Sequence, residues 1–186
     1  YKEIIEQFVR KYPEAKLIVK IATTVELMDM LKKGMLDVIV IYDRQVQSDN
    51  WECPVKIKEP LLFFAGNSNS FSGKHVELAE LGRENFILTE KGCTYRKVID
   101  DYIEARDIDL NWNLDIGDTM AIIDFVSKDI GISLLPEYCI SEFLEKGSIS
   151  EIYVDDFEAE LYLQVIYDRR KWMSPVKEAF IDLCSR

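Results

Sequence analysis

Residues 31–42 read LKKGMLDVIVIY, and this stretch decides the fold class. Gly34 is the residue type that commonly ends a helix, and the apolar run from Val38 to Tyr42 follows at once. A strand that is apolar on both faces is typical of a parallel sheet covered by helices. Upstream, Thr23 and Glu26 have the spacing of a capping box, which predicts a helix from there to Gly34. The order of elements predicts an α/β layer.

The first part of the chain extends this pattern. Residues 2–12 place apolar side chains at helical spacing before Pro13, which predicts an amphipathic helix. Residues 16–21 alternate and include β-branched side chains, which predicts a strand ahead of the second helix.

A second α/β layer follows in the same chain. The apolar run at residues 55–66 is long for one strand, and we expect it to cross between layers near Ala65. Strands and helices then alternate from residue 86 to residue 146, and the return crossing is expected near Glu158. Two more strands precede a last helix, for which Ser174 is the expected N-cap and Pro175 the first residue.

Composition excludes several classes of function. The 186 residues are 48% hydrophobic and carry a net charge of -11, which would repel a nucleic-acid backbone. No apolar run is long enough for a membrane span, and the four dispersed cysteines favour reduced thiols, so a soluble cytoplasmic protein is expected. His75 is the only histidine and no metal-ligand spacing occurs, so we predict neither catalysis nor a metal or other cofactor.

Five motifs in order carry a family resemblance: FVRKYP at 8–13, LKKGMLDVIVIY at 31–42, PLLFFA at 60–65, GISLLP at 131–136 and SPVKEAFIDL at 174–183. Together they resemble the effector-binding domain of LysR-type transcriptional regulators. The resemblance implies two Rossmann-like α/β lobes joined by two crossover strands, as in type 2 periplasmic binding proteins. The first lobe would comprise residues 1–65 and 158–186 and the second residues 66–157, with a small-molecule effector held between them.

The resemblance also implies partners. Such regulators contact DNA through an N-terminal domain that we expect to be absent from this sequence, and they relay effector binding through dimer geometry. A homodimer is therefore expected, and a tetramer for the full-length protein. Its interface would pair helix 2–12 of one subunit with helix 119–128 of another, through Ile5, Phe8 and Ile123.

Four turns after strands are candidate effector contacts, because helix N-termini at the carboxyl ends of strands favour anions such as carboxylates. They contain, in chain order, Thr23 and Thr24; Gly92, Cys93 and Thr94; Gly117, Asp118 and Thr119; and Ile132 and Ser133. Phe64 would suit an aromatic ring in the same site. Thr23 and Asp118 could instead serve only as helix caps.

Four alternatives stay open from the sequence, and one of them is a constitutive dimerisation module whose cleft is vestigial or filled by side chains. A solute-binding receptor and an enzyme of the same two-lobed fold would share this pattern. A redox sensor could use Cys93, because a thiol beside a helix N-terminus with Arg96 and Lys97 nearby should be readily oxidised. Peroxide-sensing members of the family use a cysteine in the equivalent turn, but no resolving cysteine lies close to Cys93 in sequence, and the other three, Cys53, Cys139 and Cys184, are expected to be packing residues.

Overall fold

The chain divides into two compact units in a computed structural model that describes residues 2–185. Unit 2 is Glu59–Leu161, and unit 1 comprises the chain on either side of it. The chain passes between units at Lys58 and again at Tyr162, and the Glu59 N–H donates to the Leu161 carbonyl at 3.0 Å. The first passage thus lies seven residues before the position expected near Ala65, and the second lies four residues after the position expected near Glu158.

Fifteen helices and strands of regular α or β geometry occur in the described residues, with one 3-10 helix, Leu78–Arg83. In chain order they are α1 Lys2–Lys11, α2 Thr24–Lys33, β1 Ile39–Asp43, β2 Trp51–Lys58, β3 Leu61–Ala65, β4 His75–Val76, β5 Phe86–Leu88, α3 Thr94–Arg106, β6 Trp112–Asp115, α4 Thr119–Ser127, β7 Ile132–Pro136, α5 Glu137–Glu145, β8 Ser150–Val154, β9 Tyr162–Asp168 and α6 Pro175–Cys184.

Unit 1 contains a three-stranded sheet in the order β1-β9-β2. Its core joins Leu31 of α2 to Ile39, Ile41 and Ile166 of the sheet. The predicted strand at 38–42 is confirmed, but the prediction that it is parallel is wrong, because β1 pairs antiparallel with β9. Val40 is 39% exposed, so only one face of β1 is fully covered. The apolar run had indicated burial on both faces, and the parallel arrangement inferred from it was therefore wrong.

The strand predicted at residues 16–21 is also wrong. In the part of the chain that the structure describes, these residues form no ladder with another strand. Ile18, Val19 and Ile21 are all more than half exposed. A strand is stable only when its backbone groups pair with a neighbour, and alternation of side chains does not supply one.

Unit 2 contains a six-stranded sheet in the order β4-β8-β3-β7-β5-β6. β3 pairs antiparallel with β7 and β8, while β5 is parallel to both β6 and β7. The apolar run at 55–66 is therefore two strands, β2 and β3, interrupted at Glu59 and Pro60. The helices α4 and α5 pack on the sheet through a buried cluster that includes Phe64, Ile123 and Ile140.

Local sequence signals for the helix termini are confirmed. Thr23 and Glu26 form both bonds of a capping box ahead of α2, which ends at Gly34 in the left-handed conformation. Ser174 caps α6, whose first residue is Pro175. None of the helices within residues 2–185 is long and apolar enough to cross a membrane.

Candidate functional site

The turns that follow β5, β6 and β7 leave the sheet of unit 2 at one edge, because these three strands run parallel. They are the turn at residues 89–93 before α3, the turn at 116–118 before α4, and the direct passage from Pro136 into α5. Helix N-termini at such an edge present backbone N–H groups and a positive dipole end to a ligand. Two of the four turns predicted from sequence, those at Gly92 and Gly117, adjoin this edge, whereas Ile132 and Ser133 begin β7 at its opposite end.

The turn before α3 is open. Gly92 has a φ of +102°, and a Cβ placed on it would meet no other atom within 4 Å. Cys93 is the N-cap residue of α3, yet its side chain makes no capping hydrogen bond. Cys93 and Thr94 are half-buried, and the Cys93 N–H donates to the Glu90 carbonyl at 3.3 Å. A small molecule therefore has room to approach the backbone here.

The turn before α4 lies against the turn before α3. A Cβ placed on Gly117 would lie 3.1 Å from Oε1 of Glu90, so the glutamate side chain of one turn reaches the backbone of the other. The Asp118 carboxylate accepts hydrogen bonds from the N–H groups of Met120 at 2.9 Å and Ala121 at 3.4 Å. The predicted capping role of Asp118 is confirmed. Effector contact by Gly117, Asp118 and Thr119 stays a prediction.

Three predicted contact residues are buried within unit 2. Phe64, Ile132 and Ser133 are 0% exposed, and Phe64 pairs with Ser133 in the ladder between β3 and β7. The Ser133 hydroxyl donates to the Ile87 carbonyl at 2.6 Å and so joins β7 to β5. Each of the three has a structural role, and their contact with an effector stays a prediction.

Thr23 and Thr24 lie in unit 1, at the start of α2. The Thr23 hydroxyl donates to the Glu26 carboxylate at 2.8 Å and accepts from the Glu26 N–H at 3.4 Å. The backbone N–H of Thr23 also bonds this carboxylate, and this bond is the main reason that the pKa of Glu26 is lowered. The capping role is confirmed, and effector contact by either threonine stays a prediction.

The dimer prediction named two side chains that are buried inside their own units. Phe8 is 2% exposed and packs edge-on against Phe180 of α6 at 5.3 Å between ring centroids. Ile123 is 2% exposed within the core cluster of unit 2, whereas Ile5 is half-buried. The predicted pairing of α1 with α4 stays a prediction, but Phe8 and Ile123 have little surface to offer a partner.

Arg96 supports the turn before α3 in a way that the sequence did not reveal. Its guanidinium is almost fully buried and donates to the carboxylates of Asp100 and Asp115 and to the carbonyl of Thr89. Burial lowers the pKa of Arg96, but the two carboxylates outweigh burial and the net pKa is raised. Only the spacing of four between Arg96 and Asp100 was visible in the sequence.

The described residues contain no group of three or more His, Cys, Asp or Glu side chains that could hold a metal ion. His75 forms an exposed pair with Asp155 at 2.8 Å and stacks on Tyr153.

Comparison with known proteins decides the family. The family model described as the LysR substrate binding domain matches residues 2–186. This chain belongs to the LysR substrate-binding domain family. The family is one of transcriptional regulators rather than enzymes, so of the interpretations left open by the sequence the regulator domain is the one supported.

Individual relatives agree with this assignment of the LysR domain. YwqM of Bacillus subtilis, an uncharacterised HTH-type transcriptional regulator, is 29% identical over 182 residues, which cover 97% of this chain but 61% of that protein. The chain thus spans about three-fifths of that relative's length.

Two solved structures share the fold. The regulatory domain of Synechocystis CcmR, in complex with 2-PG, has a TM-score of 0.82 at 20% identity and covers 97% of this chain and 87% of its own. The effector-binding domain of QuiR, in complex with shikimate, has a TM-score of 0.74 at 16% identity and covers 100% of this chain and 88% of its own. The predicted α/β fold of the type 2 periplasmic-binding-protein kind is confirmed.

Proposed function

We propose that this LysR domain senses a small-molecule effector whose polar or anionic group binds at the turn before α3, against Gly92, Cys93 and Thr94. One observation favours this turn over the other two helix-preceding turns predicted from sequence. The N-termini of α2 and α4 are capped by Thr23 and Asp118, whereas the Cys93 side chain provides no cap for α3. The effectors named for CcmR and QuiR support a small molecule as the ligand class.

The proposed consequence of binding is a shift between two conformations of the full-length regulator. A DNA-binding segment outside this chain would respond to the shift, since the acidic charge of the domain itself opposes contact with DNA. A coupling free energy of about 1 to 3 kcal/mol between effector and DNA is sufficient for a useful response. We place the regulator in the cytoplasm, where it can reach DNA.

Thermal unfolding with a panel of small metabolites tests the effector proposal. A ligand present at 100 times its Kd stabilises the folded state by about 2.7 kcal/mol, which for a domain of this size raises Tm by roughly 5 to 11 °C. The variant Thr94→Val should lose most of the shift. Ser127→Ala, which removes a hydroxyl at the far end of α4, should keep it. A compound whose shift survives Thr94→Val unchanged would place the effector elsewhere.

We further infer that two copies of the domain associate through α1 of one and α4 of the other, and that the full-length protein forms a tetramer. Val9 of α1 is 50% exposed and Met120 of α4 is 57% exposed, so these side chains can be covered by a partner. Val9→Asp and Met120→Asp should each yield folded monomers in sedimentation velocity. Phe8→Asp and Ile123→Asp should instead destabilise the fold, because they bury a charge. Folded dimers of both exposed-residue variants would contradict this interface.

A further inference from the structure

We propose that the cleft between α3 and the edge strand β6 is a second binding site, and that it takes a small amphoteric molecule with a guanidinium or ammonium group and an oxygen acceptor. The cleft lies within unit 2 and has a volume of about 370 Å³, which is in the range of small-molecule sites in proteins. It is separate from the effector site proposed at Gly92, Cys93 and Thr94, none of which lines the cleft.

One face of α3 and the first residue of β6 form two walls of the cleft. Arg96, Asp100, Ile103 and Glu104 line it, and their spacings of three and four residues place them on one side of the helix. Trp112 lines it from the start of β6, with the ring centroid 5.5 Å from the guanidinium carbon of Arg96. β6 is the last strand of its sheet, and Trp112 is 42% exposed, so part of the indole is open to a ligand.

The turn after α3 forms an acidic end of the cleft. Asp107 and Asp109 line this end together with Glu104, and all three residues are exposed. In the described part of the chain, none of their carboxylates forms an ion pair or a hydrogen bond. Arg106, the basic residue in the last turn of α3, lies instead over the ring of Tyr102, at 3.7 Å from the centroid. The acidic end therefore lacks a counter-charge among the described residues.

A cation on an apolar stem suits this acidic end. The C-terminus of a helix carries a negative partial charge, so the end of α3 adds to the attraction that the three carboxylates exert on a cation. The half-buried Ile103 and Ile108 line the cleft beside them and can cover an apolar chain. A guanidinium fits best, because its fork of N–H donors matches the two oxygens of a carboxylate.

A buried cation with an unused donor lies at the opposite end of the cleft. The Arg96 side chain is 1% exposed, and its Nε and Nη1 donate to two carboxylates and a backbone carbonyl. Its Nη2 has no acceptor among the described residues, although buried polar groups normally have one. Nη2 is also not one of the sealed side-chain atoms that lack a partner in residues 2–185, which are Trp51 Nε1 and Asn85 Oδ1, so it remains within reach of the cleft. An oxygen of a ligand can accept from Nη2, and the exposed Lys91 offers a second donor at this end.

The distance between the two ends of the cleft suits one small molecule. Arg96 and Glu104 are eight residues apart in α3, which corresponds to about 12 Å along the helix axis. The Nε of Arg96 donates to Asp100 at 2.8 Å, so the guanidinium extends toward the acidic end and shortens the span left for a ligand. An extended basic amino acid carries a cation at one end of an apolar chain and an oxygen acceptor at the other. Free arginine is therefore the probe that matches the cleft.

Isothermal titration calorimetry of the purified chain tests this site, and saturable binding of one L-arginine per chain is the expected result. Citrulline has the same shape but a neutral ureido group, so it should bind at least about tenfold more weakly. Pentylguanidine has the same net charge as arginine but no oxygen acceptor for Arg96, and its affinity should be lower by a similar factor. Arginine blocked at both termini represents a residue within a protein chain and should bind no more tightly than the free amino acid.

Two double variants separate the cleft from the general acidity of the chain. Glu104→Gln with Asp107→Asn removes two charges at nearly constant volume, and asparagine accepts the φ of 55° at position 107, so arginine should bind at least about tenfold more weakly. Glu145→Gln with Glu158→Gln removes two exposed charges elsewhere in unit 2 and should change the affinity by less than about twofold, because salt screens distant charges. Circular dichroism verifies that each variant is folded. No saturable binding of arginine, equal affinity for arginine and either analogue, tighter binding of blocked arginine, or equal losses in the two double variants would each overturn the proposal.

Discussion

Replacement of Arg96 by methionine tests how the turn before α3 is held. Methionine fills much of the same volume but cannot donate hydrogen bonds, so the change removes the contacts to Asp100, Asp115 and Thr89 together. It also removes the cation–π contact with Trp112, in which the guanidinium carbon lies 5.5 Å from the ring centroid. These contacts join α3 to the end of β5 and to β6, so their loss should destabilise unit 2.

The expected loss can be worked from the surroundings of each partner. Hydrogen bonds to charged groups contribute about 1.5 to 3 kcal/mol, but the carboxylates of Asp100 and Asp115 are 38% and 39% exposed, so solvent screens them and about 1 kcal/mol each is a reasonable value. The Thr89 carbonyl is in a residue only 4% exposed, and leaving it without this donor costs about 1 kcal/mol. Together these contributions give an expected loss of about 3 kcal/mol in the free energy of unfolding for Arg96→Met.

Urea unfolding followed by circular dichroism measures this difference directly. A loss of about 3 kcal/mol should lower the urea midpoint with little change in slope, and should lower Tm by roughly 6 to 12 °C. Lys97→Met removes an exposed charge from the next position on the helix and should change stability by less than about 0.5 kcal/mol. If Arg96→Met and Lys97→Met have equal midpoints, the reasoning about the buried guanidinium is refuted.

Two further changes have defined outcomes. Hydrogen bonds from Arg170 lower the pKa of Asp168 from 3.8 to about 2, so the stabilisation by this pair is present above about pH 4 and is lost as pH falls toward 2. The urea midpoints of Arg170→Met and of the unaltered chain should therefore differ at pH 6 and converge near pH 2. A difference that does not change with pH would contradict this expectation. In Gly131→Ala the new Cβ would lie too close to the Asn85 carbonyl oxygen, so the free energy of unfolding should fall by about 2 kcal/mol or more. Gly73→Ala should lower it by only about 1 kcal/mol, because that position is open and only its φ of +71° opposes alanine. Equal Tm values for the two variants would show that the backbone at Asn85 moves without cost.

Signals that act within a few residues predicted much of the fold. The capping box of Thr23 and Glu26, the N-cap Asp118 and the pair Ser174 and Pro175 each start a helix where the sequence placed it. These signals are reliable because the side chain bonds its own backbone. The strand at 16–21 was wrong for the opposite reason, since strand formation depends on a distant partner.

The candidate site likewise combines features that nearby residues determine with features that depend on residues distant in sequence. The order of strand, glycine-containing turn and helix identified the turn at Gly92 and Cys93 from sequence alone. The burial of Ser133, its bond to the Ile87 carbonyl and the proximity of Glu90 to Gly117 depend on which strands become neighbours. No local sequence motif specifies the order of the strands in the sheet of unit 2.

The sequence by itself determined the family, through motifs spread over the chain, and the positions of nearly all helices, through periodicity and capping residues. Only the tertiary structure decided that β1 is antiparallel to β9 and that Arg96 is buried between two carboxylates. The physical reason is that helix signals act over one turn of backbone, whereas strand pairing and burial bring together residues that are tens to more than a hundred positions apart.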